Sequence, residues 1–106
     1  MRAEHRFARI SATKVRPWAD LVRGRGAEEG LALLRYVPNR GARMLEKVIK
    51  SAIANAENQH DRDARDLLIA DCRVNDGPMF KRLMPRARGM AYLVRKRFCH
   101  ICVGLE

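Results

Sequence analysis

Four residues near the C-terminus, Cys99-His100-Ile101-Cys102, carry the side chains best suited to metal binding or redox chemistry. A C-x-x-C pair is typical of zinc sites and thiol oxidoreductases. The surrounding pattern predicts a strand, on which residues three apart point to opposite faces. Because zinc needs four converging ligands, we expect no metal site here. A redox centre is also not expected, since such a pair works at a helix N-terminus. A small zinc or thiol enzyme stays an alternative that metal analysis would settle.

Two other patterns resemble functional motifs only in part. Asp61, Asp63 and Asp66 are spaced like calcium ligands, but the glycine and the final glutamate of a calcium loop are missing. The segment 24–26, Gly-Arg-Gly, lacks the spacing of a dinucleotide-binding loop and is suited to ending a helix. The sequence therefore predicts neither an enzyme nor a bound cofactor.

The charge of the chain is its most informative property. Its 106 residues include 22 Lys and Arg but 12 Asp and Glu, a net charge of +10. Residues 1–26 carry seven basic and two acidic side chains, and residues 77–106 carry seven and one, whereas residues 27–66 are balanced. Such an excess indicates a polyanionic partner, with nucleic acid as the first candidate and an anionic membrane surface as the second.

Several compartments and architectures are not expected. No window approaches the roughly 18 uninterrupted apolar residues of a membrane-spanning helix. The first residues carry charges without a following apolar run, so we expect no secretory signal. Three cysteines, an odd number, do not suit a disulfide framework. These features predict a protein of the reducing cytoplasm.

The apolar pattern predicts three helices, several strands and a long protruding β-hairpin. The third helix is the clearest, because Leu45, Val48, Ile49, Ala52, Ile53 and Ala56 form one apolar stripe. We expect a single domain, 1–106, in which the hairpin covers about 78–103 and its tip about 85–90. The predicted helices are a first one that follows the N-cap Ser11 and reaches Val22, a second at 27–36 and a third at 42–58. The first helix either bends at Pro17 or begins nearer to it. The predicted strands are 4–10, 67–74, 79–84 and 91–104.

Two details of the strands are also predicted. The apolar residues Leu67 and Ile69 lie in one phase and Cys72 and Val74 in the other, which indicates a bulge between them. The following residues 75–78, Asn-Asp-Gly-Pro, predict a turn or bend that separates two strands.

The hairpin is expected to leave the globular part of the molecule. Residues 95–97, Arg-Lys-Arg, put charge on both faces of a strand in succession. Such side chains cannot enter a dry core unpaired, and an isolated two-stranded ribbon is only marginally stable in water. We therefore expect phosphate groups to surround it, with Phe80 and Tyr92 either stacking on unpaired bases or packing at the ribbon's base. A dimeric DNA-bending protein with β-ribbon arms is the main alternative.

Several spaced motifs resemble one protein family. These are Lys14-Val15-Arg16, the segment 19–24, the segment 51–57 (Ser-Ala-Ile-Ala-Asn-Ala-Glu), the segment 75–78, Lys81 with the segment 86–89 (Arg-Ala-Arg-Gly), and His100-Ile101. Together they are similar to the bacterial large-subunit ribosomal protein L-twenty-two family over nearly the whole chain. Met90 replaces a basic residue, Pro17 an aliphatic one, and Cys99 and Cys102 the serine or threonine that are usual there.

The resemblance implies an α+β fold, with three helices packed on a small antiparallel sheet and a long protruding β-hairpin. It also implies the function of particular residues. The hairpin would bind large-subunit ribosomal RNA through Lys81, Arg82, Arg86, Arg88, Arg95, Lys96 and Arg97. The globular part would bind it through Arg6, Arg9, Lys14 and Arg16. The tip would line the nascent-peptide exit tunnel with Pro85, Arg86, Ala87, Arg88, Gly89 and Met90. The expected partners are this RNA, neighbouring large-subunit proteins and the nascent polypeptide. The chain would act as a monomer within the cytoplasmic ribosome and support subunit assembly.

Overall fold

Three antiparallel strands form the single sheet of the described chain. The computed structural model describes residues 2–60, 64–85, 89 and 91–106, and at residues 60, 64, 80–85 and 91–95 the backbone alone. The strands are β1 (Arg2–Ala8), β2 (Ile69–Pro85) and β3 (Ala91–Leu105), in the order β1-β3-β2. Because β3 lies in the centre, both its neighbours pair with it along their backbones.

Three helices cover one face of this sheet. They are α1 (Ala12–Val22), α2 (Ala27–Arg35) and α3 (Arg40–His60), and a short 3-10 helix follows at Ala64–Asp66. The apolar stripe predicted for α3 is confirmed, since all six of its residues are buried. It packs against the inward residues of β3, which alternate along the strand as Cys99, Ile101, Val103 and Leu105. The predicted fold class, α+β with helices on an antiparallel sheet, is thus confirmed.

The ends of the predicted elements shift by a few residues. The helix predicted at 42–58 runs from Arg40 to His60, and the strand predicted at 4–10 runs from Arg2 to Ala8. Pro17 lies inside α1 and is exposed, as is Thr13 one turn before it. The carbonyl of Thr13, which loses its helical donor to the proline ring, can therefore bond to water. None of the described helices is long and apolar enough to cross a membrane.

An arginine paired with the one buried carboxylate of the described core links α3 to the end of α2. Glu46 lies in α3 with 7% of its surface exposed, and the Arg43 guanidinium donates to its Oε2 at 2.7 Å. Lys50 adds an ion pair from the next turn, 3.2 Å from Oε1. The same guanidinium donates to the carbonyl of Leu34, near the C-terminal end of α2, and to the carbonyl of Val37 just beyond it. Charge compensation and helix capping are therefore joined in one side chain.

Strand β2 contains two irregularities, one predicted and one not. Ile69 pairs with Leu105 and Asp71 with Gly104, so β2 gains one residue there and the predicted bulge is confirmed. The bend predicted at 75–78 is wrong, because β2 continues through it. Asp76 pairs with Cys99 and Met79 with Arg97, which places Gly77 and Pro78 opposite the single residue Phe98. A bulge accommodates Pro78, which lacks the N–H that a regular ladder requires.

Beyond the end of β1, strands β2 and β3 continue as a two-stranded ribbon. The last pair that β1 makes is Ala8 with Cys99, whereas β2 and β3 stay paired from Met79 and Arg97 to Pro85 and Ala91. The molecule measures 60 × 26 × 17 Å and has a radius of gyration of 16.6 Å. A compact chain of this length would have a radius near 13 Å. The ribbon accounts for the elongated shape, and it corresponds to the hairpin predicted from the sequence.

Candidate nucleic-acid interface

The ribbon exposes charge on both of its faces where it leaves the globular part. Lys96 and Arg97 are neighbours on β3, so their side chains point to opposite faces, and both are exposed. Met79, which pairs with Arg97, is also exposed, at 42% of its surface. No part of the chain that the structure describes covers either face of the ribbon at this position. Two cationic side chains are thus available to a partner that lies on either side of the ribbon.

The structure describes less of the outer ribbon. The backbones of Lys81, Arg82 and Arg95 are paired within the ladder, and Lys81 lies opposite Arg95. Their side chains, and those of Phe80, Pro85 and Tyr92, lie outside the described part, as do the tip residues Arg86, Ala87, Arg88 and Met90. Gly89 is described, exposed and in the left-handed region with φ +69°. The tip therefore contains a backbone conformation that glycine adopts without strain.

A second group of basic residues lies where β1 passes into α1. Arg6, Arg9 and Lys14 are all exposed, and Arg6 makes a surface ion pair with Glu4, in which its Nε lies 3.4 Å from Oε2. A shallow depression lined by Ser11, Thr13 and Arg97 separates the start of α1 from the base of the ribbon. The fold therefore brings the two basic ends of the sequence, far apart along the chain, to adjoining surfaces.

Arg16 has a different environment from the other predicted RNA-binding residues. Its Nε and Nη2 both donate to the carbonyl of Val74 at 3.3 Å, and Nη2 lies 3.6 Å from Oδ2 of Asp76. These contacts join α1 to β2 just before the bulge. The guanidinium is therefore engaged within the chain, and about half of the side chain remains exposed for a further contact.

The open face of the sheet carries basic residues that sequence reasoning missed. Arg2 and Arg73 lie on either side of Asp71, with nitrogen to oxygen distances of 3.7 and 2.9 Å. Both arginine side chains are about two-thirds exposed. The alternation of side chains along the strand predicts that Arg73 lies on the face of the sheet away from the buried Cys72 and Val74. Its proximity to Arg2 could not be predicted in this way, because it depends on the pairing of β1 with β3. An exposed aromatic residue, Phe7, was also missed.

The three thiols do not form a site. Cys99 is fully buried among the core residues and Cys102 is half-buried on the other face, so the predicted divergence of the C-x-x-C pair is confirmed. Burial raises the pKa of the Cys72 thiol to about 11, against a smaller lowering by Arg23. Burial also raises the pKa of Cys99. Within the described residues, no three His, Cys, Asp or Glu side chains come together as metal ligands.

The raised pKa of Cys72 predicts a loss of stability in alkaline solution. The unfolded chain releases this proton near pH 9 and the folded chain only near pH 11, so the stabilisation is full below pH 9 and is lost as the pH rises towards 11. A Cys72→Ala variant lacks this pH-dependent contribution to stability. We expect the difference in free energy of unfolding between the two proteins to shrink by roughly 1 to 2 kcal/mol from pH 8 to 10.5. Native Cys72 reacting with iodoacetamide at pH 8 as fast as Cys102 would contradict its burial.

Comparison with known proteins identifies the family. The family described as ribosomal protein L22p/L17e matches residues 3–106. The large ribosomal subunit protein uL22 of Rhodopirellula baltica is 58% identical over an alignment that covers 97% of this chain and 91% of that protein. The protein of the same name from Caldicellulosiruptor saccharolyticus is 52% identical and covers 95% of this chain and 83% of its own length. The chain therefore belongs to the ribosomal protein L22p/L17e family.

Proposed function

We propose that the chain binds large-subunit ribosomal RNA through two adjoining basic surfaces and extends its ribbon to line the nascent-peptide exit tunnel. Family membership makes it a structural constituent of the large ribosomal subunit and not an enzyme. Its site of action is thus the ribosome, in the cytoplasm. The RNA, neighbouring ribosomal proteins and the nascent polypeptide are its proposed partners, and one copy acts in each subunit.

One observation carries the RNA-binding proposal. Lys96 and Arg97 point to opposite faces of a ribbon that no other part of the described chain covers at that point. A protein partner would bury one face and leave the other charge in water, whereas a folded RNA can present phosphates on both sides. The remaining basic residues of the ribbon, Lys81, Arg82, Arg86, Arg88 and Arg95, would continue the same contact outward.

The globular part supplies the second surface. Arg6, Arg9 and Lys14 are exposed, and along the chain they flank residues 11–13, which line a depression with Arg97 at the base of the ribbon. One RNA segment could therefore follow both surfaces. Arg16 would add a contact through its exposed half while it holds α1 against β2. Because the ribbon extends away from the globular surface, its outer part would reach other segments of the RNA, and the chain would hold these segments together and so support subunit assembly.

The tunnel proposal concerns the tip, from Pro85 to Met90. A molecule 60 Å long can place its globular part at the surface of the subunit and its tip well inside it. Within the tip, Arg86 and Arg88 would bind RNA at the tunnel wall, and the small residues Ala87 and Gly89 would leave room for a passing polypeptide. This assignment follows from the resemblance of the 86–89 segment to the family.

Binding at matched salt concentrations tests the RNA proposal. We expect the full chain to bind protein-free large-subunit ribosomal RNA at least tenfold more tightly than duplex DNA, at each of several salt concentrations near 0.1 M. Duplex DNA offers similar phosphate density without the folded surfaces that could surround the ribbon. Equal affinities and equal salt dependence for the two nucleic acids would contradict the proposal and favour a general polyanion-binding protein.

A further inference from the structure

The edge strand β1 contains a bulge at Arg6 and Phe7. His5 pairs with Ile101 and Ala8 pairs with Cys99, so these two residues lie opposite the single residue His100 of β3. At the bulge the backbone of Phe7 has φ +55°, in the left-handed region. A bulky aromatic residue rarely adopts this conformation, because its Cβ crowds the backbone. Such strain persists only where the surrounding structure enforces it.

His100 enforces the bulge from the neighbouring strand. The backbone N–H of Phe7 donates to Nδ1 of His100 at 3.0 Å, so this ring nitrogen acts as the acceptor. The two rings meet edge to face, with centroids 4.9 Å apart and an angle of 83°. On the other side of the imidazole, a Cβ on Gly77 would lie 3.3 Å from Nε2, so β2 also limits where the ring can move. Phe7 is therefore held in one orientation.

The held ring is nonetheless open to solvent. Phe7 exposes 58% of its surface, more than any other described large apolar residue except Tyr36. The exposed basic residues Arg6 and Arg9 flank it along the chain. Strain, a fixed orientation and exposure together are unexpected for a residue whose only purpose is packing. They are expected where an aromatic face is presented to a ligand.

We propose that Phe7 is a stacking platform for one unpaired base of the ribosomal RNA, and that Arg6 and Arg9 bind the phosphates on either side of that base. The proposal rests on the proposed RNA-binding function and adds to that function a contact between the globular part and a base of the RNA. Aromatic rings stack on all four bases, so the contact requires an unpaired nucleotide but no particular sequence. The flanking arginines favour RNA over an apolar protein partner at this position.

Three substitutions separate stacking from packing. Phe7→Leu keeps an apolar side chain but removes the ring, and Phe7→Tyr keeps the ring. Phe7→Gly removes the side chain and relieves the left-handed strain, so it is expected to fold at least as stably as the native chain. Each full-length variant is titrated with protein-free large-subunit ribosomal RNA at several salt concentrations, and its unfolding is measured in urea.

We expect Phe7→Leu and Phe7→Gly to weaken binding by about 10- to 100-fold without changing the slope of log affinity against log salt, while Phe7→Tyr stays within about twofold. An Arg9→Ala variant should instead lower that slope by about one. If the native chain binds the RNA and Phe7→Leu binds it equally well, the stacking inference is wrong and the proposed function stands. If the native chain does not prefer the RNA to duplex DNA, the proposed function itself fails.

Discussion

Shortening the ribbon is expected to lower the affinity for ribosomal RNA by roughly 100-fold at about 0.1 M salt. Lys81 lies opposite Arg95, so an Asn-Gly turn can replace residues 82–94 and close the two strands directly. The replacement removes Arg82, Arg86 and Arg88 together with the tip. Losing three phosphate contacts should lower the slope of log affinity against log salt by about two. Filter binding with protein-free ribosomal RNA measures both quantities.

A variant with the full ribbon separates charge from length. Replacing Arg82, Arg86 and Arg88 by Gln keeps the strands and the tip but removes the same three charges. We expect it to show the same reduced slope and most of the loss in affinity, because the backbone of the ribbon carries no net charge. None of the core residues that the structure describes belongs to the replaced segment, so both variants should unfold at the native urea concentration. Unchanged RNA binding by the shortened chain would show that the ribbon is not an RNA-binding element.

Enlarging a small residue between α3 and the sheet is expected to destabilise the protein by about 3 kcal/mol. Ala52 is fully buried within the stripe of α3 that faces the sheet. A leucine at this position adds three carbon atoms to a close-packed interior, and the helix must move away from β3 to accept them. We expect Ala52→Leu to unfold at a clearly lower urea concentration, or to accumulate poorly if little stability remains.

The exposed residue Ala54 provides the matched control. It lies in the same helix two positions further on, and its side chain faces solvent. Alanine and leucine have similar helix propensities, so Ala54→Leu should change the free energy of unfolding by less than about 0.5 kcal/mol. Equal stability of the two variants would mean that the spacing between α3 and the sheet is not set by its small residues.

Much of the fold could be predicted because local patterns and the tertiary structure agree. The stripe on α3 recurs at the helical period, and the change of phase between Ile69 and Cys72 marks a real bulge in β2. The turn or bend predicted at 75–78 is wrong because the Gly-Pro pair on which it rests occurs in strand bulges as well as in turns. In the folded chain the partner strand β3 continues past this segment, so the extra residue is absorbed as a bulge and the strand does not end.

The basic residues of the candidate site could be predicted from the sequence, whereas most of their contacts within the chain could not. Consecutive charges at Lys96 and Arg97 indicated a ribbon open on both faces, because no sheet can bury both. The local engagement of Arg16 with Val74 could not be predicted, since it depends on how α1 lies against β2. The exposure of Phe7 was missed for a related reason. On a regular strand an aromatic residue would be expected to pack, and the bulge that turns it outward depends on His100, 93 positions away.

Sedimentation of native large ribosomal subunits shows whether ribosomal RNA holds this basic ribbon protein. We expect the native chain to co-sediment with the subunit in one copy and to remain bound through a wash of roughly 0.5 M monovalent salt, because many phosphate contacts act together. The chain in which the Asn-Gly turn replaces residues 82–94 should be released by the same wash. Free native chain at the top of the gradient, or equal retention of both chains, would mean that the ribbon is not held by ribosomal RNA.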